Sequence, residues 1–167
     1  MNNNQHIQAE QKVAILFDGN NIERSIHKLM QSKNAMLNFD YLVPKLLNGR
    51  SLNRFVYFKE GDDVSEKLRK RVQMNFSGSL VPCKKSADIP ICMAAVQLVP
   101  KVDTIIVVSG DSDFLPLVSY LKANGLRVEC AGLEHSSSFN LIASVDYFYK
   151  ITPADCFVFE KHKTFSQ

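Results

Sequence analysis

Residues 14–21 read AILFDGNN, and residues 104–113 read TIIVVSGDSD. Each begins as an unbroken apolar run and ends abruptly on small polar residues and aspartate. A short run with no alternation of apolar and polar side chains suits a strand buried on both faces. Such a strand needs a cover on each side, so helices are expected to follow.

They do follow in the pattern. Strands are predicted over 13–17, 52–58, 79–83, 104–108, 126–132 and 146–151. Helices are predicted over 21–32, 39–47, 63–75, 88–99, 112–123 and 137–144, where apolar residues recur at helical spacing. The dipeptide Asn-Gly at 48–49 and again at 124–125 stops a helix each time. Asp62 or Asp63 is the expected cap of the third helix, and Pro90 fits the first turn of the fourth. Alternating strands and helices predict one α/β domain: a three-layer sandwich around a mainly parallel sheet. Its expected extent is 13–152, after a flexible polar leader (1–12) and before a loose tail (153–167).

Composition narrows the class. The chain has 167 residues, 46% hydrophobic and 22% charged, which suits one soluble globular domain. No apolar run approaches the roughly 20 residues that span a bilayer, and the start has no apolar signal core. The four cysteines form no C-x-x-C pair, so they are read as reduced thiols of a cytoplasmic protein. A net charge of +3 permits an anionic partner without requiring one. Lys67, Arg69, Lys70 and Arg71 cluster in one helical segment, and Lys84 and Lys85 are adjacent.

In a doubly wound sheet the functional crevice lies beyond the carboxyl ends of the strands, where the strand order reverses. Asp18 follows the first strand, Asp88 follows the third, and Asp111 and Asp113 follow the fourth. If the first and fourth strands are neighbours, these acids share one edge. Clustered carboxylates stay ionised together only beside cations, and a set of oxygen ligands favours Mg²⁺ or Mn²⁺. Three of the acids also have a plainer role, Asp18 as a turn former and Asp88 and Asp113 as helix caps, whereas Asp111 is harder to dismiss.

The stretches LFDGNN, KKSAD and VVSGDSDFLPLVSYLKANGLRVECAG, in that order, resemble the NYN domain of the PIN-like nucleases, in its LabA-like bacterial branch. The resemblance spans roughly 13–150 and implies a PIN-like, Rossmann-like fold and metal-dependent ribonuclease activity. It implies metal ligation and catalysis by Asp18, Asp88 and Asp111, with Asp113 beside them. Asn20 and Asn21 match the family's polar turn, and Ser109 its small residue before the acids. One position departs: where many members carry another aspartate, Ala94 stands here.

The residues support a substrate side as well. Asn20, Asn21 and Ser109 are candidate donors to water or phosphate, and backbone N–H groups near Ser112 could meet an anion. Lys84, Lys85 and the outward cations of the 67–71 segment are candidate phosphate contacts, and Phe76 or Tyr57 candidate stacking partners. Single-stranded RNA is the expected partner. Three readings stand together: a Mg²⁺- or Mn²⁺-dependent endoribonuclease, a non-catalytic nucleic-acid- or protein-binding module with a degraded site, and a haloacid-dehalogenase-type phosphatase. The last needs an aspartate where Asn20 stands and ranks lowest. The aromatic stretch VDYFYKI leaves homo-oligomerisation open.

Overall fold

The strand Lys12–Asp18 (β1) lies at the centre of the molecule, and Val13 through Phe17 are wholly inaccessible to solvent. A computed structural model describes residues 10–62 and 64–159. Val13, Ile15 and Phe17 point into one apolar cluster, and Ala14 and Leu16 into another on the opposite face. Two-sided burial explains why β1 shows no alternation.

In chain order the elements are β1, the helix Gly19–Leu29 (α1), the strand Ala35–Leu37 (β2), the helix Phe39–Leu47 (α2), and the strand Ser51–Glu60 (β3). Then come the helix Glu66–Phe76 (α3), the strand Ser79–Cys83 (β4), the helix Asp88–Leu98 (α4), and the strand Thr104–Val108 (β5). The helix Leu115–Ala123 (α5), the strand Arg127–Gly132 (β6), the helix Phe139–Ser144 (α6), and the strands Tyr147–Lys150 (β7) and Cys156–Val158 (β8) complete the described chain.

Six strands form one sheet in the order β4-β3-β1-β5-β6-β7, and every neighbouring pair is parallel. Buried residues of α1, α2 and α3 pack on one face with Phe17, Tyr57 and Ile106. Those of α4, α5 and α6 pack on the other with Leu16, Phe58 and Val107. The expected three-layer α/β sandwich is what forms. Its strand order reverses beside β1, which pairs with β3 on one side and β5 on the other.

Several local expectations change. Ser65, not Asp62, caps α3: its hydroxyl accepts the Leu68 N–H. Asp63 lies outside the described residues. The helix expected from 112 begins as a 3-10 turn at Ser112–Phe114, because the Asp111 carboxylate takes the Asp113 N–H at 3.0 Å and tightens that turn. The ordered chain also extends past the expected bounds. Lys12 begins the central strand, the Gln11 carbonyl accepts the Ser51 N–H, and β8 pairs antiparallel with β2, so residues 153–159 belong to the fold rather than to a tail. The expected tail beyond 159 and the leader up to residue 9 lie outside the described residues. No described helix is long and apolar enough to cross a membrane.

Candidate active site

Asp18 is the last residue of β1 and the N-cap of α1, so the chain turns from strand to helix on its carboxylate. The turn is tight. A Cβ on Gly19 would stand 2.5 Å from the Phe58 carbonyl oxygen, which only glycine avoids. Asp18 is 4% exposed and doubly held: Oδ1 accepts the Asn21 N–H at 3.3 Å, and Oδ2 accepts the Ser109 hydroxyl at 2.9 Å.

Burial raises the Asp18 pKa above its ordinary value. The hydrogen bonds from Ser109 and Asn21 oppose that rise, and the nearby charges of Asp88 and Glu60 add to it. The same acids act on neighbouring thiols. Cys83 is raised by burial and then by Glu60 and Asp18, and Cys92 by burial and then by Asp88. The carboxylates after β1, β3 and β4 therefore share one electrostatic neighbourhood.

Ser109 links two strand ends. It is fully buried, its hydroxyl donates to Asp18, and it accepts the Asp111 N–H at 3.3 Å. It positions acids and does not face a substrate, contrary to the expectation for it. Asn20 and Asn21 are also partly occupied. Asn20 Oδ1 accepts the Glu60 N–H at 2.9 Å, and Asn21 Oδ1 accepts the Gly110 N–H at 3.2 Å. The two side chains tie α1 to the ends of β3 and β5, and each turns its amide NH₂ away from that contact.

Asp88 opens α4 without capping it: Ala87 holds the N-cap position and no side chain serves there. Instead the Asp88 carboxylate accepts the Ser86 hydroxyl, whose oxygen takes the Asp88 N–H at 3.1 Å. Lys84 and Lys85 are exposed on the connection just before it. Asp111 is partly buried, whereas Ser112 and Asp113 are exposed on the 3-10 turn. The N–H groups after Ser112 are not free for an anion, because Asp111 accepts those of both Asp113 and Phe114. Ala94 packs against the core on α4.

Of the candidate stacking residues Tyr57 is buried and Phe76 half-buried, and both are engaged within the protein. Tyr57 is 3% exposed and donates its hydroxyl to Glu23 at 2.8 Å, and Phe76 stacks on Phe55 with centroids 4.9 Å apart. Glu60, by contrast, went unrecognised in the sequence. Its signal was available, since an acid followed by glycine ends β3 as Asp18–Gly19 ends β1.

Among the described residues, no three His, Cys, Asp or Glu side chains converge to cage a metal ion unaided. The donor chemistry nonetheless suits a hard, water-rich ion. Mg²⁺ usually keeps several waters and takes one or two carboxylates plus substrate phosphate oxygens.

The parallel doubly wound sheet, with acids at its switch point, places the chain in the α/β class whose functional crevice lies beyond the carboxyl ends of the strands. Within that class the chain belongs to the NYN domain family, whose sequence pattern matches residues 12–152; this is a nuclease-like family of the PIN-like superfamily. The fold is similar to the crystal structure of a protein of unknown function from Vibrio parahaemolyticus RIMD 2210633. That likeness has a TM-score of 0.78 at 20% identity, over 90% of this chain and 98% of that one. No curated protein matches the chain in sequence.

Proposed function

We propose that this NYN domain, of the LabA-like bacterial branch, hydrolyses RNA phosphodiester bonds in the cytoplasm with Mg²⁺ or Mn²⁺ bound at its acidic edge. The observation that carries the reading is Asp18: a buried carboxylate at the β1–β5 switch, its pKa raised by burial and then by Asp88 and Glu60. A buried carboxylate with half-buried like charges nearby is costly unless a cation joins it.

Asp18, Asp88 and Asp111 are the residues that would hold the ion, with Asp113 next in line and Glu60 contributing its charge nearby. A bound divalent ion supplies charge neutralisation and an activated water. Ser109 and Asn21 fix the orientation of the Asp18 carboxylate. Lys84 and Lys85, beside Asp88, are placed to meet the phosphates of an incoming strand.

A second reading, a binding module without catalysis, draws on Ala94 and on the lack of a three-carboxylate cage among the described residues. Hydrolysis of single-stranded RNA with Mn²⁺, with Mg²⁺ and with excess chelator, for the parent and Asp18→Asn, separates the two. Cleavage that needs the ion and falls about 100-fold or more in the variant supports the hydrolase. Cleavage that survives chelation, or none under any condition, rejects it.

A further inference from the structure

Beside the acidic edge, α1, the β2–β8 ribbon and the start of α3 enclose a groove of about 580 Å³. That volume lies within the roughly 300–1,000 Å³ of pockets that take small organic ligands. Its floor is apolar, built from core residues such as Ile22, Ile26 and Leu68. Its rim adds exposed apolar groups, with Met36 39% and Phe159 45% accessible.

The charge around the groove is one-sided. Lys33, Lys59, Lys67 and Arg71 line it with the carboxylate of Glu23, and Arg71 is paired with Asp40 at 2.6 Å, so the excess of positive charge rests on Lys33 and Lys67. Glu23 is itself engaged by Lys59 and by the Tyr57 hydroxyl. Lys67 Nζ stands 4.4 Å over the Phe159 ring, so one cation already marks an aromatic face. The groove lies on the sheet face of Phe17 and Tyr57, and it reaches the carboxyl end of β3 at Lys59; strand alternation turns the next residue, Glu60, to the opposite face.

We propose that this groove holds a single-stranded segment of the nucleic acid, with an unstacked base against Phe159 and Met36 and adjoining phosphates on Lys33 and Lys67. An apolar floor takes the flat face of a base, which a duplex keeps stacked inside, and the cationic rim complements the backbone. The choice of nucleic acid as occupant rests on the RNA reading above. The groove itself is tested without catalysis.

The probe is a short fluorescein-labelled oligouridylate, followed by anisotropy in chelator across a salt series. The double variant Lys33→Glu/Lys67→Glu should bind about tenfold or more weakly, and its salt slope should fall by about 1.4, the value for two single-strand phosphate contacts. Phe159→Ala should lose about tenfold. Lys101→Glu, exposed in the turn before β5 at the opposite sheet edge, should bind as the parent does. Thermal midpoints check that each variant is folded, and a photoreactive uridine in the probe should cross-link at Phe159 or Met36.

Unchanged affinity in both groove variants overturns the proposal. So do cross-links confined elsewhere, a duplex bound as tightly as the single strand, or no binding by the parent at low salt. Groove-dependent binding in chelator with no cleavage on adding Mn²⁺ keeps the groove and rejects the hydrolase. Mn²⁺-dependent cleavage with an unchanged KM in the charge-reversed variant keeps the hydrolase and rejects the groove.

Discussion

Asp18 is the buried acid of the candidate site, and its environment fixes the sign of its effect on stability. Its pKa is raised on folding, so its favourable contribution is complete below the unfolded value of 3.8 and is lost as pH rises through the folded value. At neutral pH the buried charge is therefore a burden. Asp18→Asn keeps an acceptor for the Asn21 N–H and removes that burden. The variant should melt at or above the parent temperature at pH 7, and the gap should close toward pH 4; thermal melts across that range test this. Added Mn²⁺ should raise the melting temperature of the parent alone, because only a ligand bound to the folded state stabilises it. Asp88 is tested in the same way. Since it does not cap α4, Asp88→Asn should leave the melting temperature nearly unchanged while weakening Mn²⁺ binding about tenfold or more, read by calorimetry.

Between elements, the critical packing is the one that aims the β5 turn. Gly110 precedes Asp111, and a Cβ there would stand 2.5 Å from Ser137 Oγ and 2.8 Å from Ser137 Cα. Ser137 Oγ is buried with no hydrogen-bond partner among the described residues, wedged against both Gly110 and Gly132. The connection after β6 thus presses on the turn that carries Asp111, and the Ser138 N–H donates to the Gly110 carbonyl at 2.9 Å. Gly110→Ala should cost about 1–3 kcal/mol, the usual penalty for overpacking. Adding Ser137→Gly should recover part of that loss, because it removes the hydroxyl but leaves the backbone of the connection pressed against the turn. Chemical denaturation of the single and double variants measures the coupling. A fully additive result would show that the two residues do not press on each other.

Across the whole molecule, the opposite sheet edge works as a brace. Glu129 on β6 is 5% exposed and accepts both Nη groups of Arg50, each at 2.9 Å, and Arg127 Nε at 2.6 Å. Arg50 also donates to the carbonyls of Leu46 and Leu47, so it closes the end of α2 while clamping a strand on the far side of β1. Although burial acts to raise the Glu129 pKa, the two arginines outweigh it and hold the carboxyl below its ordinary value. That stabilisation is present above the unfolded value of 4.5 and is lost as pH falls through the folded one. Glu129→Gln should destabilise the fold by about 1–3 kcal/mol at neutral pH, because the half-buried Arg50 guanidinium loses its anionic partner. The difference should narrow below pH 4.5, and denaturation at several pH values checks both magnitude and direction.

Local pattern alone located most of the sheet and helices. The strands at 79–83 and 104–108 and the helix at 39–47 fall where their residues placed them, because a two-sided apolar run or a 3.6-residue period is written within a few neighbours. The acids at strand ends were legible for the same reason: Asp18 and Asp111 each follow a buried run directly. Only the tertiary structure made β1 and β5 neighbours and placed Glu60 beside Asp18. It also turned the oxygens of Asn20, Asn21 and Ser109 toward the protein, because their partners lie 40, 89 and 91 residues away in the chain. The β2–β8 ribbon escaped notice for a related reason. Its strands have three residues each, too few to show a period, and they form by pairing segments from opposite ends of the domain. Partners so distant leave no mark in local periodicity, and pairings of that kind decide the groove wall, the sheet order and the aim of Asp18.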